Sequence, residues 1–321
     1  MLRFNQYLTE GGNVFKGQTA SIALEDIEPT LNAYFAELKK VFPKKASIFN
    51  TNHFHPLGSV GKKPMSGDID LGVDAKDLLD HEMSPQSMAM WGIDPSKVQQ
   101  EFVTLSKRAR TSSPEQVMMK AFLKVLTQHI NVHAPKLHCD EAKVTNGNIF
   151  GVYPQITKDG KQVGIGVQID WMVGDLQWLK FSYYSAAYPA GSNVKGLHRT
   201  QLMLSAFQQA NLSFNHVSGV KDKDTGKLIA TDPARALKEL SFRLGVPLTH
   251  DQTEDYYKLH AQLKKHMKPE DYSNMLDTYF KILDSTRADI PDDLQSEWKK
   301  RKTRLGLTGK FLPDNSKLKG E

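Results

Sequence analysis

Two stretches of the chain alternate between apolar and polar positions with the period of a β-strand. In residues 68–73, Ile69, Leu71 and Val73 fall on one face, while Asp68 and Asp70 share the other. In residues 163–173, Val163, Ile165, Val167, Ile169 and Trp171 share one face, and Gly164, Gly166, Gln168 and Asp170 share the opposite one. Same-face neighbours on a strand lie roughly 6 to 7 Å apart, so Asp68 and Asp70 stand side by side. Two carboxylates so placed repel each other unless a cation lies between them. The glycines of the second strand leave room beside Asp170, as a substrate floor requires. Asp175 lies past that strand, in a turn.

The helical period appears first in Ile27, Leu31, Tyr34, Phe35, Leu38, Val41 and Phe42, and it stops before Pro43. Residues 48–54 then read as a strand feeding Gly58. A long insertion, about 75–147, follows the first acidic strand. Within it Ser113-Pro114-Glu115-Gln116 is a helix start with a capping-box pair and proline in the first turn. Met118, Ala121, Phe122, Val125, Leu126 and Ile130 form the buried stripe of that helix. Residues 148–156 and 162–173, joined around Asp159-Gly160, read as a hairpin that carries Asp170.

Pro189-Ala190-Gly191-Ser192-Asn193 is the expected domain joint, because everything after it reads as helix. One helix is predicted over about 199–211. A second has Asp232 as cap, Pro233 in its first turn, a stripe at Leu237, Leu240 and Leu244, and Gly245 to end it. Tyr272, Met275, Leu276, Tyr279, Phe280 and Leu283 mark a third. Residues 222–226 read as a turn, too short a match to credit as a calcium loop. There is no internal repeat.

The stretch before the first acidic strand supplies its chemical complement: Gly58, Ser59, Gly61, Lys62 and Lys63. Glycine lets backbone N–H groups approach a phosphate, and lysine adds positive charge. Leu57-Gly58-Ser59, a spacer, and then Asp68-Ile69-Asp70-Leu71 resemble the signature of the DNA polymerase β-like nucleotidyltransferase superfamily. The spacer is at or just under the short end of the usual range, and the motif covers under a tenth of the chain. The superfamily needs a third carboxylate on a neighbouring strand, and Asp170 matches that position.

The resemblance implies an α+β fold: a polymerase β-like mixed sheet with helices over 11–190, interrupted by the 75–147 insertion, followed by a helical domain with a basic tail over 191–321. It also implies that Asp68, Asp70 and Asp170 hold Mg²⁺ or Mn²⁺ on an NTP. Gly58 and Ser59 would take the β- and γ-phosphates, assisted by Lys62 or Lys63. Lys195, His198 and Arg199, at the start of a helix, sit where such enzymes bring basic groups to the triphosphate; they read equally well as a solvated helix start. The expected reaction moves an NMP to an acceptor hydroxyl, with RNA or a tRNA end as first choice. A protein or small-molecule acceptor is the alternative, as is a non-catalytic, packaged, DNA-associated head protein.

Composition adjusts this picture in a few places. A chain of 321 residues suggests two domains, and 39% hydrophobic with 24% charged residues describes a globular protein with a sizeable core. No apolar run approaches the length of a membrane span. The single cysteine, Cys139, excludes an intramolecular disulfide and fits a reducing compartment. His129, His133, His138 and Cys139 lie close in sequence, and a zinc site is conceivable, but no second cysteine supports it.

The net charge of +6 allows a polyanionic partner. Lys299, Lys300, Arg301, Lys302, Arg304, Lys310, Lys317 and Lys319 read as a solvated tail that also suits a nucleic-acid backbone. Residues 1–10, with Leu2, Phe4, Tyr7 and Leu8 apolar, lack the long apolar core of a secretory signal. They resemble the capsid-targeting peptides of T-even-like phage head proteins, which are removed after a Leu-x-Glu pattern, here Leu8-Thr9-Glu10; an ordinary helix ended by Gly11-Gly12 is an equal reading. The targeting reading implies a phage protein of the host cytoplasm that is packaged in the virion.

Overall fold

Ile69, Leu71 and Val73 are all fully buried, and they place the first acidic strand, β4 (Asp68–Asp74), in the middle of a sheet. In the computed structural model, which describes residues 14–15, 17–80, 82–108, 112–188 and 192–309, the chain is a mixed α+β protein. It divides into two compact units, one ending at Lys180 and one beginning at Phe181. The division falls inside a helix, Leu176–Ser182, upstream of the expected joint. Pro189, Ala190 and Gly191 of that joint lie outside the described residues, as do the 1–10 peptide and Lys310, Lys317 and Lys319. No helix among the described residues is long and apolar enough to cross a membrane.

The first unit is built on a five-stranded sheet in the order β2 (Phe54–Pro56), β4, β7 (Gln162–Gly174), β6 (Asn148–Ile156), β5 (His138–Cys139), together with a short antiparallel pair, β1 (Ile22–Ala23) and β3 (Met65–Ser66). β4 and β7 run parallel; the other neighbours are antiparallel. β6 and β7 form the expected hairpin, with Gly160 at φ +76° in the turn, a backbone state that suits glycine. Trp171 on β7 donates its indole N–H to the Tyr34 hydroxyl at 2.7 Å, which ties the sheet to helix α1 (Leu24–Val41). Ile27, Leu31, Phe35 and Leu38 bury the rest of that helix face, following the predicted stripe. The insertion carries the predicted helix Pro114–His133, whose Ser113 and Gln116 make both bonds of a capping box.

Two expectations for this unit are corrected. Residues 48–54 are not a strand: Pro43–Ile48 is a 3-10 helix, and the strand is only Phe54–Pro56. Asn50 is the cause, because its side chain donates to the Ser47 carbonyl and accepts from the Asn52 amide, each at 2.8 Å, which closes a turn. Val163 and Ile165 do not join the core face; they are exposed, and burial along β7 begins at Gly166. The hairpin's distal end therefore projects beyond the layer that covers the rest of the sheet.

The second unit is mostly helical, but not wholly so. Between helices Gly196–Gln209 and Pro233–Leu244 lies an antiparallel meander, β8 (Leu212–Asn215), β9 (Gly219–Asp222) and β10 (Leu228–Ala230). Leu212 and Phe214 alternate inward with Ser213 and Asn215, a strand period too short to stand out beside the helices. The 222–226 turn closes its second hairpin, with the Asp222 carboxylate accepting from the amides of Asp224 and Thr225. Asp232 caps the next helix and Gly245, at φ +66°, ends it, both as predicted.

The basic segment 299–305 is also corrected. It is part of a helix, Gln295–Leu305, rather than a solvated tail. Arg301 and Arg304 both bind the Asp277 carboxylate at 2.7 Å, and Lys302 lies 4.8 Å over the Trp298 ring.

Candidate metal centre

Parallel pairing of β4 with β7 places Asp70 directly opposite Asp170, and Asp68 opposite Gln168. Paired residues on neighbouring strands point to the same side of a sheet. All three carboxylates accordingly converge, with a ligand oxygen from each within 4.8 Å of the others. Among the described residues this is the only group of three or more potential metal ligands. The 129–139 quartet does not assemble as a zinc site. His129 is stacked against Phe42 and His133, His138 is exposed with its ring edge on Phe15, and burial pushes the Cys139 thiol up, away from the thiolate that zinc needs.

The electrostatics of the acidic trio follow from its position. Asp68 and Asp70 are half-buried, whereas Asp170 is 1% exposed. Withdrawal from water pushes the Asp68 carboxyl up to about 6. Asp70 is raised well above the usual carboxylate range by burial and then by the Asp68 charge. Asp170 is likewise raised well above that range, by burial and then by Asp70 and Asp68, partly offset by a hydrogen bond from Gln168. That bond occupies Oδ2 at 2.7 Å; Asp170 Oδ1 is buried with no hydrogen-bond partner. A buried carboxylate oxygen without a donor is costly unless a cation or proton meets it. Three hard oxygen donors suit a small divalent ion such as Mg²⁺ or Mn²⁺.

The Gly58–Ser59 turn is held beside these acids by a contact not anticipated from the motif. The Leu57 amide donates to the Asp70 carbonyl at 2.8 Å, carrying the β2–β4 pairing one step further. The Leu57 side chain packs on Gly72, where an added Cβ would lie 2.9 Å from Leu57 Cδ1. Gly72 lies two residues past Asp70 on the same face, so a glycine there lets the loop cross the acidic face. Gly58 and Gly61 take φ of +60° and +74°, the left-handed turn conformations that glycine permits. Lys62 is exposed and Lys63 half-buried, both in this loop. Ser66, just before Asp68, is a further polar residue of this stretch that the motif did not mark; its hydroxyl is buried with no hydrogen-bond partner.

The basic groups of the second unit behave differently. Lys195 is half-exposed and pairs with Asp289 at 3.7 Å. Arg199 is 0% exposed. Its guanidinium donates to the carbonyls of Thr253 at 2.6 Å, Phe181 at 2.7 Å and Ser182 at 3.3 Å, and it lies over the Phe181 ring. Arg199 therefore ties together helix ends, where unpaired carbonyls need donors, and is withdrawn from any triphosphate. His198 is likewise buried, bonded to the Lys195 amide and the Asp289 carbonyl. The second glycine of the supposed open floor, Gly166, is covered too: a Cβ there would meet Val152 and, at 3.3 Å, the Gln18 carbonyl. No protein-family model and no curated protein matches this chain.

Proposed function

We propose that the chain is a metal-dependent nucleotidyltransferase of the polymerase β-like type, moving an NMP from an NTP to an acceptor hydroxyl. One observation carries the reading: Asp68, Asp70 and Asp170 present converging carboxylate oxygens on adjacent parallel strands, and one of the Asp170 oxygens is buried without a donor. The glycine turn at 58–61, which directly follows Leu57 on Gly72, supports it.

In this reading Asp68, Asp70 and Asp170 hold Mg²⁺ or Mn²⁺. When bound, the metal neutralises charge on the reacting phosphate and on the leaving group. The acceptor hydroxyl oxygen attacks the α-phosphorus, the new O–P bond forms, and the α–β phosphoanhydride bond breaks to release pyrophosphate. The Asp170 carboxylate takes the hydroxyl proton. The main chain at Gly58 and Ser59 binds the departing phosphates, and Lys62 and Lys63 add positive charge there. RNA or a tRNA end is the proposed acceptor, resting on the net charge of +6 and the basic C-terminal segment. A location in the host cytoplasm, with packaging in a virion, belongs to the same proposal.

The test is incubation with each α-labelled NTP, Mg²⁺ or Mn²⁺, and a panel of RNA, protein and small-molecule acceptors. Label transferred by the wild type and lost in Asp70→Asn supports the reading. Absence of transfer to every acceptor, together with no binding of metal or NTP, rejects it.

A further inference from the structure

Gln168 is fully buried two residues before Asp170, and both ends of its amide are engaged. Nε2 donates to Asp170 Oδ2 at 2.7 Å, and Oε1 accepts from the main-chain N–H of Val14 at 3.1 Å. These two partners permit only one orientation of the amide. A backbone N–H can only donate, so it must meet the oxygen; a carboxylate accepts, so it must meet the NH₂ group. Rotating the amide by half a turn would set two donors against each other and an oxygen against a carboxylate.

The segment that carries Val14 is itself pinned to β7. The Ala20 amide donates to the Gly166 carbonyl at 2.9 Å and the Gly166 amide to the Gln18 carbonyl at 3.2 Å. Gln155 Nε2 adds bonds to the Ala20 and Gly166 carbonyls at 3.1 and 3.2 Å. Glycine at 166 is what allows this close approach, since a side chain would meet the Gln18 carbonyl.

We infer that Gln168 is a positioning residue for the metal centre, its orientation set by the Val14 amide, so that Asp170 is held by Oδ2 and keeps Oδ1 free for the ion. The inference rests on the functional reading above. It extends that reading to a part of the chain with no place in the motif: the strap before Ala20 acts on the acidic centre through one side chain. Hydrogen-bond partners of metal ligands typically change metal affinity or activity by about 10- to 100-fold when removed.

The test is a Mn²⁺ titration of the full chain, followed by the resonance of the free ion, alongside steady-state transfer kinetics. Gln168→Leu keeps the volume and loses both bonds. Val14→Pro removes the N–H donor, while also fixing φ at that position, and leaves Gln168 in place, so it reports even where Gln168→Leu does not fold. Both variants are expected to bind Mn²⁺ about 10- to 100-fold more weakly and to lose kcat, with KM for the NTP within about twofold of wild type. Wild-type Mn²⁺ affinity in either folded variant overturns the inference while leaving the functional reading standing. A wild-type protein that binds neither Mn²⁺ nor NTP overturns the functional reading, and the inference with it.

Discussion

Asp70 stands directly opposite Asp170 across the parallel β4–β7 ladder, and its charge helps to raise the Asp170 carboxyl above the usual carboxylate range. Such a pair holds more negative charge than its surroundings neutralise. In the absence of a cation the site relieves that excess by keeping protons.

Asp70→Asn should remove nucleotide transfer without unfolding the protein. The amide keeps the shape of the carboxyl group and lowers the repulsion with Asp68 and Asp170, so the thermal midpoint of metal-free protein at pH 8 should be unchanged or higher. Circular dichroism melts and transfer assays check the two halves. A variant that turns over at the wild-type rate would remove Asp70 from the metal centre.

Stability should depend on pH in a direction that the acidic trio sets. Unfolded aspartates titrate near pH 4, whereas folded Asp68 holds its proton up to about 6, with Asp70 and Asp170 also raised. Between those values the unfolded chain releases protons that the folded chain keeps. The contribution is therefore full below about pH 4 and is lost as pH rises through 6 and beyond. Metal-free protein should melt at a lower temperature at pH 8 than at pH 6, and Mg²⁺ should recover more of the loss at pH 8. A Mg²⁺ effect equal at both values would count against this origin.

His216 imposes the opposite slope on the second unit. It is buried against Tyr183 and Phe214, and burial, followed by the Arg199 charge, pushes its imidazole down to about 3. Its unfolded value is about 6.5, so the unfolded chain binds a proton first and stability is lost as pH falls from about 6.5 towards 3. Denaturant titrations between pH 4 and 7 should show a shallower slope in His216→Phe, provided that variant folds. An unchanged slope would assign the acid sensitivity elsewhere.

Gly72→Ala should weaken NTP binding before it affects the fold. The added methyl would press on Leu57 at 2.9 Å and lift the Gly58–Ser59 turn. Overpacking of this kind costs about 1 to 3 kcal/mol. Equilibrium binding of an NTP analogue, compared with the melting temperature, separates the two effects; unaltered nucleotide affinity would detach Gly72 from the site.

The C-terminal basic groups should separate into two classes. Arg301→Ala, which breaks a partly buried pair with Asp277, should cost about 1 to 3 kcal/mol of stability. Deleting residues 310–321 removes Lys310, Lys317 and Lys319 and should instead weaken RNA binding. The logarithmic salt slope of that binding should fall by up to about 2. A salt titration giving the same slope and affinity for both lengths would favour an acceptor other than nucleic acid.

Elements whose signals lie within a few residues were legible along the chain. Alternation at 68–73 reports a half-buried strand because successive side chains must point to opposite faces, and both acidic residues followed from that period. The capping box at Ser113, the Asp232 cap and the glycine that ends its helix were equally legible, since each satisfies backbone groups within a few residues. The common face of Asp170 and Gln168 was legible too, but not what either one touches.

Which segments meet was set by packing between remote parts of each unit. Nothing in the local pattern around Arg199 distinguishes a basic group at a helix start from one buried on the carbonyls of Thr253, Phe181 and Ser182, because those carbonyls come from distant turns of the chain. The glycine at 166 read as open floor until the Gln18 carbonyl filled it, and Gly72 had no reading at all until Leu57 lay on it. The Val14–Gln168–Asp170 chain of hydrogen bonds joins residues far apart in sequence and has no periodicity to announce it. Period and capping are written along the backbone, whereas close approach between remote segments is settled only when burial and hydrogen bonding are satisfied for the whole unit at once.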